Sequence, residues 1–146
     1  NIPKYGSINV HPSLLPKYAG CFSSVWALFN NEKKTGITFH YMKKKFDSGN
    51  IILQDTINIK KEDTAFSLFH KLVFLSLKNL FSALNLVIYD KDKGKEQDMS
   101  KRTYYPRKLP NNGLIDNNWN KNRRNQFLKA MHFPPIFDHH KINKKS

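Results

Sequence analysis

Cysteine is almost missing from this chain: among 146 residues only Cys21 carries a thiol. A lone cysteine excludes an internal disulfide and a cysteine-rich zinc site, and it fits a reducing compartment. No uninterrupted apolar run approaches the roughly 18 residues that read as a membrane-spanning helix. The opening residues also lack the basic, apolar and small-residue pattern of a secretory leader. The expectation is a cytoplasmic protein without a membrane partner. Acidic residues are scarce, 11 against 25 lysines and arginines, for a formal net charge of +14. Clustered lysines would suggest a phosphate backbone as partner. Here Lys33-Lys34, Lys43-Lys44-Lys45, Lys60-Lys61 and Lys144-Lys145 are dispersed among asparagine and isoleucine, which reads as compositional bias and solvated basic faces. Such a surface would still attract anionic ligands.

What is present is concentrated near the start. In Ser7-Ile8-Asn9-Val10-His11-Pro12-Ser13-Leu14-Leu15-Pro16, Ile8 and Val10 alternate with polar residues, so a strand would send Asn9 and His11 to one face. Pro12 has no backbone donor and cannot extend a central strand. The strand should therefore end at His11 and present an amide and an imidazole side by side, and in open α/β sheets ligands bind at such strand ends. Further on, Phe46-Asp47-Ser48-Gly49-Asn50-Ile51-Ile52 places a carboxylate in a turn-forming loop before a second apolar run.

The rest reads as one domain of ordinary size without internal repeats. Pro16 and Gly20 punctuate a loop. Ser23 or Ser24 is placed to cap a short helix through Val25–Phe29, ended by Asn30-Asn31. Residues 35–42 alternate as a strand with Ile37, Phe39 and Tyr41 on one face and Thr38, His40 and Met42 on the other, and residues 51–58 form another strand. From Thr64 to Val87, Ala65, Leu68, Phe69, Leu72, Leu75, Leu80 and Leu84 recur at helical steps, which predicts a long amphipathic helix over a sheet face. Residues 91–103 read as an exposed linker, 104–138 as a small extension with a helix around 123–131, and 139–146 as a disordered tail. His140 follows His139 in that tail without a third ligand at metal-binding spacing.

The string Asn9-Val10-His11-Pro12-Ser13-Leu14-Leu15-Pro16, with Trp26-Ala27-Leu28, Thr35-Gly36-Ile37-Thr38-Phe39-His40-Tyr41-Met42 and Asp47-Ser48-Gly49-Asn50-Ile51-Ile52, closely resembles the 10-formyltetrahydrofolate-dependent formyltransferases. The resemblance implies an α/β fold, the C-terminal portion of a Rossmann-like formyltransferase domain (residues 1–90) with a small irregular extension. Family members carry a further stretch before the point where this chain opens on Asn1, so the sequence looks like the later part of such an enzyme. A catalytically incomplete remnant stays open as an alternative.

Formyl transfer to an amine needs a donor for the developing oxyanion and a group of near-neutral pKa to move protons. The resemblance gives these roles to Asn9 and His11. Asp47 would order water, assist deprotonation of the amine and bias the imidazole toward its charged form. Phe46, Ser48 and Gly49 would line the site of the co-substrate, 10-formyltetrahydrofolate, with Gly49 serving either a positive backbone angle or close approach of the pterin. Ser13, Tyr18 and Tyr105 would contact the acceptor. No metal is required. His40 is expected in a packed layer between strand and helix, and Cys21 as a small packing residue. Ala19 and Ser24 stand where many relatives have arginine and proline, which alters the acceptor loop.

The stretch from Tyr104 through Gly113-Leu114-Ile115-Asp116 and Trp119 to Pro135 is similar to the segment after the catalytic domain in sugar-nucleotide and tRNA formyltransferases. The methionyl-tRNA enzymes continue into a further domain. The resemblance therefore implies a nucleotide-linked amino sugar as acceptor, a methionyl-tRNA formyltransferase fragment as the alternative, and a homodimer.

Overall fold

Strand β3 (Lys34–Tyr41) lies at the centre of the sheet and is buried from Thr35 through His40. Its β-branched and aromatic residues suit a pleated surface covered on both sides. The structure is a computed structural model and describes residues 3–134 and 136–137. The histidine pair at 139 and 140 and the expected disordered tail lie outside the described residues.

Strand β1 (Ile8–His11) and strand β4 (Ile51–Asn58) flank β3 in a three-stranded sheet of order β1-β3-β4. Both pairings are antiparallel. The site strand thus belongs to an antiparallel part of the fold. The register sets Asn9 opposite His40 and His11 opposite Thr38. The β3–β4 register shifts between Phe39 and His40, and such irregularities re-aim side chains locally. A two-stranded parallel sheet joins β2 (Ala19–Gly20) to β5 (Tyr104–Tyr105).

Helix α1 (Ser23–Phe29) begins differently from expectation. Its N-cap is Phe22 in a left-handed conformation, φ 57, with no side-chain cap. Ser23 and Ser24 are buried, and the Ser23 hydroxyl donates to the Pro12 carbonyl at 2.7 Å, so it anchors the post-strand loop instead. Helix α2 (Ala65–Ile88) starts as the pattern predicts: Thr64 and Ser67 form a reciprocal capping box. Below it, buried Asp63 accepts from the Lys60 N–H, the Ser67 hydroxyl and the Lys71 ammonium.

One side of α2 lies in the core through Ala65, Leu68, Leu72, Ala83 and Val87. Phe69, expected on that face, is 36% exposed, and Phe74, Leu77 and Phe81 stand well out from the surface. The helix therefore carries a second apolar row. By length and composition α2 is long enough and apolar enough to cross a membrane; Lys71, Lys78 and neighbouring polar residues interrupt the run. The core is completed by helix α3 (Lys121–Ala130), capped by Asn120. Its Phe127 and Ala130, with Met131, are fully buried, and Phe29, Trp119 and Phe127 form an aromatic cluster.

The two rows of α2 make opposite predictions for stability. Leu72→Ala removes a fully buried side chain and is expected to cost about 2–5 kcal/mol in denaturant unfolding. Phe81→Ser, on the outer row, is expected to stay within about 0.5 kcal/mol when unfolding is measured at a concentration where the chain is monomeric.

Candidate active site

Pro12 ends β1 after His11, and the chain folds back through a loop held by Thr38. The Thr38 hydroxyl donates to the Ser13 carbonyl at 2.6 Å and accepts from the Leu15 N–H and the Gln54 amide at 3.2 and 2.8 Å. Ser13 is buried, and its hydroxyl donates to the Lys17 carbonyl at 2.8 Å. This loop carries the Tyr18 carbonyl to His11, whose Nε2–H donates to it at 2.7 Å. In neutral His11 the unprotonated nitrogen is then Nδ1.

Opposite Asn9, the buried His40 is pinned in the same manner: its Nδ1–H donates to the Tyr41 carbonyl at 2.8 Å. The free Nε2 accepts from the Asn9 amide at 3.3 Å. Each imidazole thus has one nitrogen fixed by backbone, and both free nitrogens face one carboxylate. Asp47 Oδ1 lies 3.7 Å from His11 Nδ1 and 3.7 Å from His40 Nε2. The other oxygen, Oδ2, accepts from the Gly20 N–H at 2.8 Å.

These contacts set the protonation states. Burial dominates at His11 and outweighs the Tyr18 carbonyl and the Asp47 charge, while the charges of His40 and Arg102 add to it, so its pKa lies below the ordinary 6.5. Asp47 does pull His11 toward its charged form, as expected, but burial outweighs it, and at neutral pH His11 is an unprotonated base. Burial would also raise Asp47, but the His40 imidazole, the His11 charge and the Gly20 N–H overcome it and hold the carboxyl below the ordinary 3.8. The result is a carboxylate between two imidazoles, beside an amide donor.

The other expected residues are placed as follows. Phe46 is 75% exposed at the rim. Ser48 donates to the Lys45 carbonyl at 2.8 Å within its own turn. The positive angle in this loop falls on Asp47, φ 50, and not on Gly49. Gly49 is required for space: a Cβ there would lie 1.6 Å from the Tyr41 carbonyl oxygen. Gly20 is constrained similarly, with φ 95 and a Cβ that would meet the Tyr105 carbonyl at 2.1 Å. Tyr18 stacks on Tyr105 at 5.3 Å and 10°, and Tyr105 on Trp26 at 4.5 Å. Asn30 donates to both tyrosine hydroxyls. The Tyr18 hydroxyl donates to Glu32, and burial together with that carboxylate raises its pKa.

Sequence reasoning missed four participants: His40, the Gly20 N–H, Gln97 and Arg102. His40 had a usable signal, since it stands near the end of a strand, seven residues before Asp47. The other three depend on tertiary contacts. Gln97 donates to the Asp47 and Gly49 carbonyls at 3.0 and 2.7 Å, and Arg102 to the Phe46 carbonyl at 3.0 Å. Among the described residues no group of three or more His, Cys, Asp or Glu side chains is disposed to hold a metal ion. A separate cavity of about 600 Å³ is lined by Lys4, Tyr5, Tyr41, Lys43, Lys91 and Lys93 among others, and neither Asp47 nor the two histidines border it.

The α/β scaffold thus brings an amide, two imidazoles and a carboxylate together at the end of β1, a set chemically able to donate and accept protons. The chain belongs to the formyl transferase family, whose model matches residues 1–84. It is 41% identical over 135 residues to a GDP-perosamine N-formyltransferase of Brucella melitensis, covering 92% of this chain and 51% of that protein. A methionyl-tRNA formyltransferase of Pelotomaculum thermopropionicum is 49% identical over 86 residues, 59% of this chain and 28% of that protein. An N-formyltransferase from Helicobacter canadensis, solved with folinic acid and dTDP-3-aminofucose, superposes with a TM-score of 0.78 at 27% identity over 84% of this chain and 46% of that chain. The chain thus spans about half the length of the GDP-perosamine enzyme it matches.

A depressed His11 pKa means that the folded protein holds this group neutral, so its contribution is complete above pH 6.5 and falls away as pH drops below that value. Asp47 contributes above pH 3.8 and is lost at lower pH. Thermal unfolding followed from pH 8 to 5 should show the native protein losing stability below about 6.5, and His11→Gln should lose less over the same range. Equal slopes would contradict a buried neutral imidazole.

Proposed function

We propose that this protein transfers a formyl group from 10-formyltetrahydrofolate to the primary amine of a nucleotide-linked amino sugar. The observation that carries this reading is the convergence of His11 and His40 on Asp47 beside Asn9, within the stretch matched by the formyl transferase model. The chemistry of this set fits a formyl donor, because it combines a neutral donor, an unprotonated base and a carboxylate without further groups. The folate supplies an activated formyl group. Asn9 donates toward the formyl oxygen as negative charge develops there. As the amine nitrogen bonds to the formyl carbon, Asp47 accepts the amine proton, directly or through water, and passes it to His11 at Nδ1, while Nε2–H stays on the Tyr18 carbonyl. The bond from that carbon to folate N10 then breaks, and His11 returns the proton to N10 as tetrahydrofolate leaves. His40 fixes the Asn9 amide through Nε2. Phe46, Ser48 and Gly49 form the folate-facing loop, and no metal takes part.

A sugar acceptor is favoured over tRNA by the span of similarity. The match to the GDP-perosamine enzyme covers 92% of this chain, against 59% and 79% for two methionyl-tRNA formyltransferases. Ser13, Tyr18 and Tyr105 belong on this reading to the acceptor side, with the Tyr18–Tyr105–Trp26 stack offering flat aromatic surface. We read residues 1–90 as the catalytic part, 91–103 as the connection and 104–138 as the acceptor-side extension. The protein would work in the cytoplasm, as a homodimer, on precursors of polysaccharide. The lone, half-buried Cys21 suits a reducing compartment, and the outer row of α2 suits self-association.

Release of tetrahydrofolate, followed by absorbance with a panel of nucleotide-linked amino sugars and with methionyl-tRNA, tests the reading. Turnover with a sugar is expected, reduced about 100-fold or more by His11→Ala or Asn9→Ala. Turnover with tRNA alone would reassign the acceptor. Full activity in His11→Ala would overturn the site.

A further inference from the structure

The loop carrying Asp47 is tied down by bonds from a distant segment of the chain. Asp47 has φ 50, a left-handed conformation that Asp tolerates better than most residues with a Cβ but that still benefits from outside support. Ser48 closes only a short turn within the loop, and the Asp47 carboxylate is itself committed to the Gly20 N–H and the two imidazoles. The support for the backbone comes from a segment fifty residues away in sequence. Gln97 sends Nε2 to the carbonyl of Asp47 at 3.0 Å and to that of Gly49 at 2.7 Å.

An amide nitrogen has two protons, and here both are used, one on each side of Ser48. This arrangement fixes the orientation of the glutamine, because turning the amide over would set its oxygen against two carbonyl oxygens. Gln97 Oε1 is buried and has no hydrogen-bond partner, a cost that the alternative orientation would not relieve. Arg102, from the same segment, adds donation to the Phe46 carbonyl at 3.0 Å and a longer one to the Asp47 carbonyl at 3.4 Å. A bridge between Ile51 and Lys95 fastens the segment to the start of β4.

We propose that Gln97 is a positioning residue that holds the Asp47 carboxylate between His11 and His40. The role rests on the formyl-transfer reading for its purpose, but its physical content is independent of turnover. Gln97 touches neither imidazole through any bond described here; it acts through the backbone of residues 47–49. Removing its two donors frees that backbone to leave the left-handed conformation, which withdraws Oδ1 from both histidines.

The test is an NMR titration of the His11 imidazole in the intact chain, which requires no catalysis. The charged groups that act on His11 are Asp47, which raises its midpoint, and His40 and Arg102, which lower it. Gln97→Met keeps the bulk of the side chain and deletes both donors. Its expected effect is a fall in the His11 midpoint of about half a unit or more, in the direction of losing a nearby carboxylate. Asp47→Asn should produce a fall of the same sign. In the Asp47→Asn background Gln97→Met should then add nothing. A His11 midpoint unchanged by Gln97→Met, in a protein with a native amide spectrum, would overturn the proposal. An equal fall with and without Asp47 would overturn it as well, since Gln97 would then act by another route. If Gln97→Met fails to fold, Gln97→Asn, polar but too short to reach both carbonyls, is read by the same criteria.

Discussion

One carboxylate shared by two imidazoles is the interaction on which the rest of the site depends. Asp47 meets His11 and His40 at equal distances through a single oxygen, while its other oxygen is held by a backbone N–H. Because both rings are tied to carbonyls at their far nitrogens, the protons that can be exchanged are confined to the nitrogens facing Asp47. A protein that lost the carboxylate would keep two buried bases with no counter-charge between them. One that lost the carbonyl contacts would leave the rings free to turn. Position and protonation are therefore set together, by the same few bonds.

The scaffold supplies those bonds from distant segments. Antiparallel pairing of β1 with β3 sets Asn9 against His40. Thr38 collects the loop after β1 and so brings the Tyr18 carbonyl to His11. The short parallel pairing of β2 with β5 holds Gly20, whose N–H reaches Asp47, against a backbone that leaves no room for a Cβ. The segment before β5 then closes over the other side of the Asp47 loop through Gln97 and Arg102. The segment from Gln97 to Tyr105 is thus mechanically part of the Asp47 site. Its helix α3 shares the core with α1, and Arg123 lies 3.4 Å over the Phe29 ring.

Much of this is legible in the residues, and the boundary of legibility has physical causes. β4 is read to its ends, and α2 and its Thr64 start follow from a long stretch free of glycine and proline. Asn9, His11 and Asp47 stand out because an alternating strand, a terminating proline and a turn motif are local signals. His40 escapes because it sits on a strand buried on both faces, where alternation no longer separates core from site. The cap of α1 is misread because Ser23 satisfies a carbonyl across the loop instead of its own helix. The outer row of α2 is invisible to a periodicity argument, since apolar residues on two faces of one helix blur into a single stripe. Gln97 and Arg102 lie in a charged segment that reads as a connection, and only tertiary geometry brings them to Asp47. The sign of the His11 shift likewise needs burial, which no spacing in the sequence reports.

The most direct test of this account is the tautomeric state of the two histidines, read from imidazole nitrogen chemical shifts at pH 7.5 with assignments by His11→Gln and His40→Gln. The account predicts neutral His11 protonated on Nε2 and neutral His40 protonated on Nδ1, with the shifts of both free nitrogens changing when Asp47 is replaced by Asn. The opposite tautomer at either ring, or free-nitrogen shifts indifferent to Asp47→Asn, would contradict the claim that one carboxylate organises both bases.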